Sequence, residues 1–159
     1  MAKNSAELSR EFNQQATAFA ELVRGLNDEQ WQATCEAEGW SVGTTAHHVA
    51  QSFEATFGLT GAMIADSVPL INIENIHASN AAHAAEFASP DRAETLAMIE
   101  RSTGVVTDAI AGLSDEDLDA AAVVAAFGPD PLPVRSWIEM VVIGHIGMHQ
   151  SSIAAAAGS

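Results

Sequence analysis

The chain has 159 residues, 48% of them apolar and only 17% charged, and a formal charge of −15; that length suits one domain able to bury about two thirds of its unfolded surface. Alanine accounts for 31 residues, aromatics for 6% and tyrosine for none, a composition that points to helix and away from a sheet protein. Twenty-one Asp and Glu against six Lys and Arg, with no basic cluster, speak against nucleic acid and against anionic membrane surfaces, both of which need cations to neutralise phosphate.

A first helix is predicted from about Ser5 to Arg24, with Leu8, Phe12, Phe19, Leu22 and Val23 in its apolar stripe and Gly25 as a left-handed stop. Asn27 and Gln30 have the spacing of a capping box and open a short turn. A second long helix follows Trp40-Ser41, capped by Ser41 or Thr44, and runs to about Asp66. Residues 67–89 contain Pro69, three Asn and two His, and read as a connection in which part of Ile73 to Phe87 is helical, because Ala81 to Glu86 is a good helix former. Ser89-Pro90-Asp91 reads as N-cap, Pro at the first helical position and an acid in the first turn. The third helix that opens there carries Leu96, Ile99, Val105, Val106 and Ile110 and stops at Gly112. A last long helix is expected from near Pro133 to about Ala157. Residues 25–31 and 112–118 echo each other as helix stop, apolar residue and fresh cap, which is the turn chemistry such junctions need. Four long helices joined this way predict an all-α four-helix bundle, with residues 1–159 forming a single domain.

Cys35 stands alone, so neither an internal disulfide nor a multi-cysteine zinc site is available; its simplest role is a small buried apolar residue. The N-terminus lacks the apolar stretch of a signal peptide. The longest apolar runs, Ala120 to Phe127 and Met140 to Ile143, are too short to span a bilayer. A cytoplasmic protein without a membrane partner is the expectation.

Six histidines are the candidates for chemistry. His145 and His149, four residues apart, share one face of a helix segment that is apolar on nearly every side, close enough to share an ion. Buried imidazoles need partners for both nitrogens, so the pair either coordinates a metal or is hydrogen-bonded in the core. On the second long helix, His48 shares its column with Ser52, Ala55 and Leu59 and points inward, whereas His47 aligns with Gln51 and Glu54 on a wet face. His48, His145 and His149 would then make a three-histidine metal site with an open position. His77 and His83 read as surface residues of the connection, and the carboxylates as a solvated surface without an evident general base.

The segment from Trp40 through Ala50, with Trp-Ser-x-Gly followed by His48 eight residues after the tryptophan, resembles the second helix of DinB-like proteins. Gly144-His145-Ile146-Gly147-Met148-His149-Gln150 resembles the final-helix His-x-x-x-His of the same superfamily. The resemblance implies a DinB-like four-helix bundle, usually a homodimer, binding a divalent metal through His48, His145 and His149, with zinc first and nickel or iron next. The superfamily includes mycothiol-dependent maleylpyruvate isomerases and bacillithiol transferases. By that likeness the metal would hold a low-molecular-weight thiol that attacks an electrophilic small-molecule substrate. Metal-dependent hydrolysis is the variant within the enzyme class, and a non-catalytic metal- or ligand-binding protein is the alternative outside it. Many relatives follow the last histidine with Arg-Gly-Gln; here Gln150-Ser151-Ser152 stands instead.

Overall fold

Side-chain caps open the first six helices of the computed structural model, which describes residues 2–158. Reciprocal capping boxes pair Asn4 with Glu7, Asn27 with Gln30, Asn72 with Asn75 and Ser114 with Asp117. They open α1 (Ser5–Gly25), α2 (Asp28–Gln32), α4 (Ile73–Glu86) and α6 (Asp115–Asp119). Ser41 opens α3 (Val42–Ile64) by accepting from the Thr44 N–H at 3.0 Å. Ser41→Ala is expected to cost about 1 kcal/mol, seen as a fall of roughly 2–4 °C in a thermal melt; an unmoved melt would mean that another group caps α3.

One helix stop and one helix start differ from expectation. Gly25 belongs to the last turn of α1, and Leu26, in extended backbone, is the C-cap. α5 (Arg92–Ala111) is capped by Asp91, whose side chain accepts from Glu94 N–H at 2.8 Å, and not by Ser89. Pro90 therefore lies outside the helix, where its carbonyl accepts from the Trp31 indole at 3.1 Å. That tertiary contact decides between two residues that are equally good caps locally.

The bundle consists of α1, α3, α5 and a composite rod made of α7 (Val134–Trp137), a π-helical turn (Ile138–Ile143) and α8 (Gly144–Ala157). Its core joins Leu8, Phe12 and Phe19 to Phe53, Ile99 and Ile146, all essentially without solvent exposure. Phe12 and Phe53 meet edge to face with ring centroids 5.3 Å apart. Val105, expected in the α5 stripe, is exposed, as are Met140 and Met148 on the last rod. Two short antiparallel ladders tie the junctions, Thr34–Cys35 with Trp40–Ser41 and Ala121–Ala122 with Leu132–Pro133. Both follow a short capped helix, in line with the echo in the sequence. No helix of the described residues is long and apolar enough to cross a membrane.

The Trp-Ser-x-Gly opening has a steric logic. Ser41 supplies the cap, and a Cβ at Gly43 would lie 2.7 Å from the buried Trp31 ring, so only glycine lets that indole rest on the first turn of α3. The helix expected within Ile73 to Phe87 is α4, which fills nearly all of that span and in which no residue is fully buried. It lies over α3 and forms one wall of a cavity.

Candidate metal centre

α3 delivers His48, and α8 delivers His145 and His149 one turn apart. The final rod was expected as one uninterrupted helix from about Pro133; the π-helical turn before Gly144 interrupts it. Such a turn widens the backbone locally and shifts the phase of everything after it. Val134 and Trp137 thus face inward from α7, while His149 and Ile153 do so from α8.

The three imidazoles converge through one atom type. His145 Nε2 is 3.2 Å from His48 Nε2 and 3.1 Å from His149 Nε2. One donor nitrogen from each residue falls within 4.8 Å of the others, so the cluster can hold a metal ion. The opposite nitrogens explain why these atoms face each other as acceptors. The Ser52 hydroxyl donates to Val49 O at 2.7 Å, leaving its oxygen to accept from His145 Nδ1–H at 3.1 Å. The Glu38 carboxylate accepts from His149 Nδ1–H at 2.7 Å, with both side chains under 10% exposed. With the Nδ1 protons so committed, the Nε2 atoms of His145 and His149 present lone pairs to each other, an arrangement that a cation relieves and a hydrogen bond cannot. Nitrogens bound at about 2.0–2.1 Å to one tetrahedral ion sit about 3.3 Å apart. The residues present therefore fit a divalent ion.

Burial, reinforced by the neighbouring imidazoles, lowers His48 to about 3 and His145 to about 4. At neutral pH both rings are uncharged, so neither carries a second proton or a positive charge that would oppose a cation. The same shifts carry a stability prediction for the metal-free protein. Between about pH 4 and 6.5 the unfolded chain binds these protons and the folded chain does not, so stability rises with pH across that window. The melting temperature in chelator is expected to fall as pH drops from 7 to 4, and to fall less in His48→Gln or His145→Gln.

Two of the other histidines, His47 and His83, are not where the sequence put them. His47 was expected on a wet face, but it is buried and stacked on Phe87 with ring centroids 4.1 Å apart. Phe87, the C-cap of α4, covers His47, while Gln51 and Glu54 in the same column stay exposed. His83 was expected at the surface; α4 instead lays it against Trp40, His47 and His48, with Nδ1 2.9 Å from Gln51 Oε1. His77 is exposed, as expected. Cys35 is buried, and burial pushes its thiol up. Glu38 is the residue that sequence reasoning missed. It sits in the tight turn between Thr34–Cys35 and Trp40–Ser41, where Gly39 takes φ +72°, and nothing in its local sequence links it to His149. Its second oxygen is buried without a partner.

A cavity of about 530 Å³ opens onto His48 and His145. Its apolar lining includes Leu59, Ile71, Ile76, Phe127, Trp137 and Val141. An ion at the cluster would therefore face a largely apolar space of small-molecule size.

Comparison with known proteins agrees with this architecture. The family model described as DinB superfamily matches residues 11–153. YfiT from Bacillus subtilis, described as a probable metal-dependent hydrolase with an unusual four-helix bundle topology, superposes with a TM-score of 0.75 at 16% identity, over 97% of this chain and 87% of its own. At that identity the likeness is one of fold. No curated protein matches the chain in sequence.

Proposed function

The chain belongs to the DinB superfamily, and on that premise we propose that it is a divalent-metal enzyme that transfers a small thiol to an electrophilic small molecule. His48, His145 and His149 would hold the ion, zinc first and nickel or iron next. The observation that carries the reading is the convergence of three Nε2 atoms whose partner nitrogens, in His145 and His149, are already committed to Ser52 and Glu38. When bound, a dication there supplies Lewis acidity, making a nucleophile of a coordinated thiol or water at neutral pH.

The residues of the chain do the rest. Ser52 and Glu38 keep two rings oriented, and the apolar wall keeps bulk water away from the electrophile. In the transfer, sulfur bonds to the electrophilic carbon, and the thiol's proton leaves with the displaced group or adds to the adjacent carbon. Thiol transfer is placed before hydrolysis on the likeness to the thiol-dependent members of the superfamily. Hydrolysis is the second reading, favoured by the fold shared with YfiT and by that protein's description. A cytoplasmic homodimer belongs to the same proposal and rests on the superfamily.

The test is metal content by mass spectrometry on untagged protein, followed by turnover. Near-stoichiometric metal with thiol-dependent consumption of 1-chloro-2,4-dinitrobenzene supports transfer. Thiol-independent cleavage of 4-nitrophenyl acetate would support hydrolysis instead. Metal without either activity would make this a binding protein, and protein without metal would overturn the proposal.

A further inference from the structure

We infer that the cavity beside the three histidines takes an uncharged, largely apolar molecule and rejects carboxylate-bearing ones. The inference rests on the proposed function, whose electrophile it describes, but its evidence is the lining. No Lys, Arg, Asp or Glu lines the cavity. The chain's cations are engaged elsewhere: Lys3 with Glu11 and Glu139, Arg24 with Glu100, Arg92 with Asp28, and Arg135 with Asp119. The remaining two, Arg10 and Arg101, lie on α1 and α5, outside the lining. An anion entering this space gives up its hydration and meets no counter-charge in the wall, within a protein of net charge −15.

Neutral polar groups are provided for. Gln51 from α3 and Asn75, Ser79 and Asn80 from α4 add carboxamide and hydroxyl groups to a lining that also holds Phe127 and Trp137. Such groups recognise a carbonyl, nitro or hydroxyl group on a ring system, and about 530 Å³ has room for a bicyclic molecule. The preference is that of the lining: an ion at the cluster would itself attract a carboxylate, with only the Glu38 carboxylate behind His149 to offset part of its charge, so the lining is read with the ion removed.

The experiment is calorimetric titration with 2-acetylnaphthalene and 2-naphthoate, which share a ring system and differ in charge at pH 7.5. Wild-type protein is compared with chelated His145→Ala, in which no ion is available to hold a carboxylate. The expected result is neutral-probe binding to both proteins, with the naphthoate at least tenfold weaker on His145→Ala. Naphthoate binding within tenfold of the ketone, or no binding of either probe, would overturn the inference. Asn80→Arg, on a helix with no fully buried residue, guards against misfolding of the first variant. It should improve naphthoate binding at least tenfold relative to the ketone; no gain in that ratio would count against the inference. Metal content is read separately, so an ion-free wild type sinks the metal reading while the probe ratio still decides this one.

Discussion

His145→Ala should abolish metal binding outright. His145 Nε2 is the atom that lies within 3.2 Å of both other ligand nitrogens, and without it only one imidazole from α3 and one from α8 remain. Two neutral nitrogens do not retain a divalent ion through purification at neutral pH as three convergent ones do. Metal analysis should therefore show loss in His145→Ala, His48→Ala and His149→Ala, and full retention in His77→Ala, which alters an exposed residue. Thermal stability supplies a second readout. Metal at one hundred times its Kd stabilises a folded protein by about 2.7 kcal/mol, worth roughly 5–11 °C in a chain of this size. Wild type should show that metal-dependent gain and the three ligand variants should not. Metal content indifferent to all three changes would leave the histidines as hydrogen-bonded core residues.

Glu38→Ala carries the second large effect, a loss of about 10–100-fold in metal affinity, as is usual when the carboxylate behind a ligating imidazole is removed. The 2.7 Å contact to His149 Nδ1 sets the tautomer that frees Nε2 for the ion, and the carboxylate adds a buried negative charge one bond network away. Glu38→Gln separates these contributions. Its amide oxygen still accepts from Nδ1–H, so ring orientation survives while the charge is lost. Competition against a chromophoric chelator should rank wild type above Glu38→Gln and Glu38→Gln above Glu38→Ala. Equal affinities for all three would show that Glu38 serves only the packing of the turn beside α8.

Much of the bundle was legible because helix caps and apolar stripes are local. Asn27 and Gln30 lie three residues apart, and that spacing alone closes both bonds of a capping box. His48 was distinguishable from His47 by one step of helical phase, and His145 pairs with His149 by four. The failures share a different origin. His47 and His83 were misplaced because α4 lies over α3, a long-range packing choice that the weak apolar content of residues 67–89 does not announce. Choosing Asp91 over Ser89 as a cap depended on Trp31, 59 residues from the Pro90 carbonyl it binds.

By itself the sequence determined the helical class, the four long helices, the absence of a disulfide framework and the His145–His149 pair. The class, the helices and the His145–His149 pair depend on composition or on spacings shorter than two helical turns, where geometry follows directly from the chain; that His48 meets that pair across 97 residues is a matter of packing. Only the tertiary structure decided that Glu38 backs His149 across 111 residues, that Ser52 holds His145 across 93, and that a cavity without charged walls opens onto the cluster. Those features arise where separate elements meet, and the energy that selects them is the burial of the whole core, which no local spacing records.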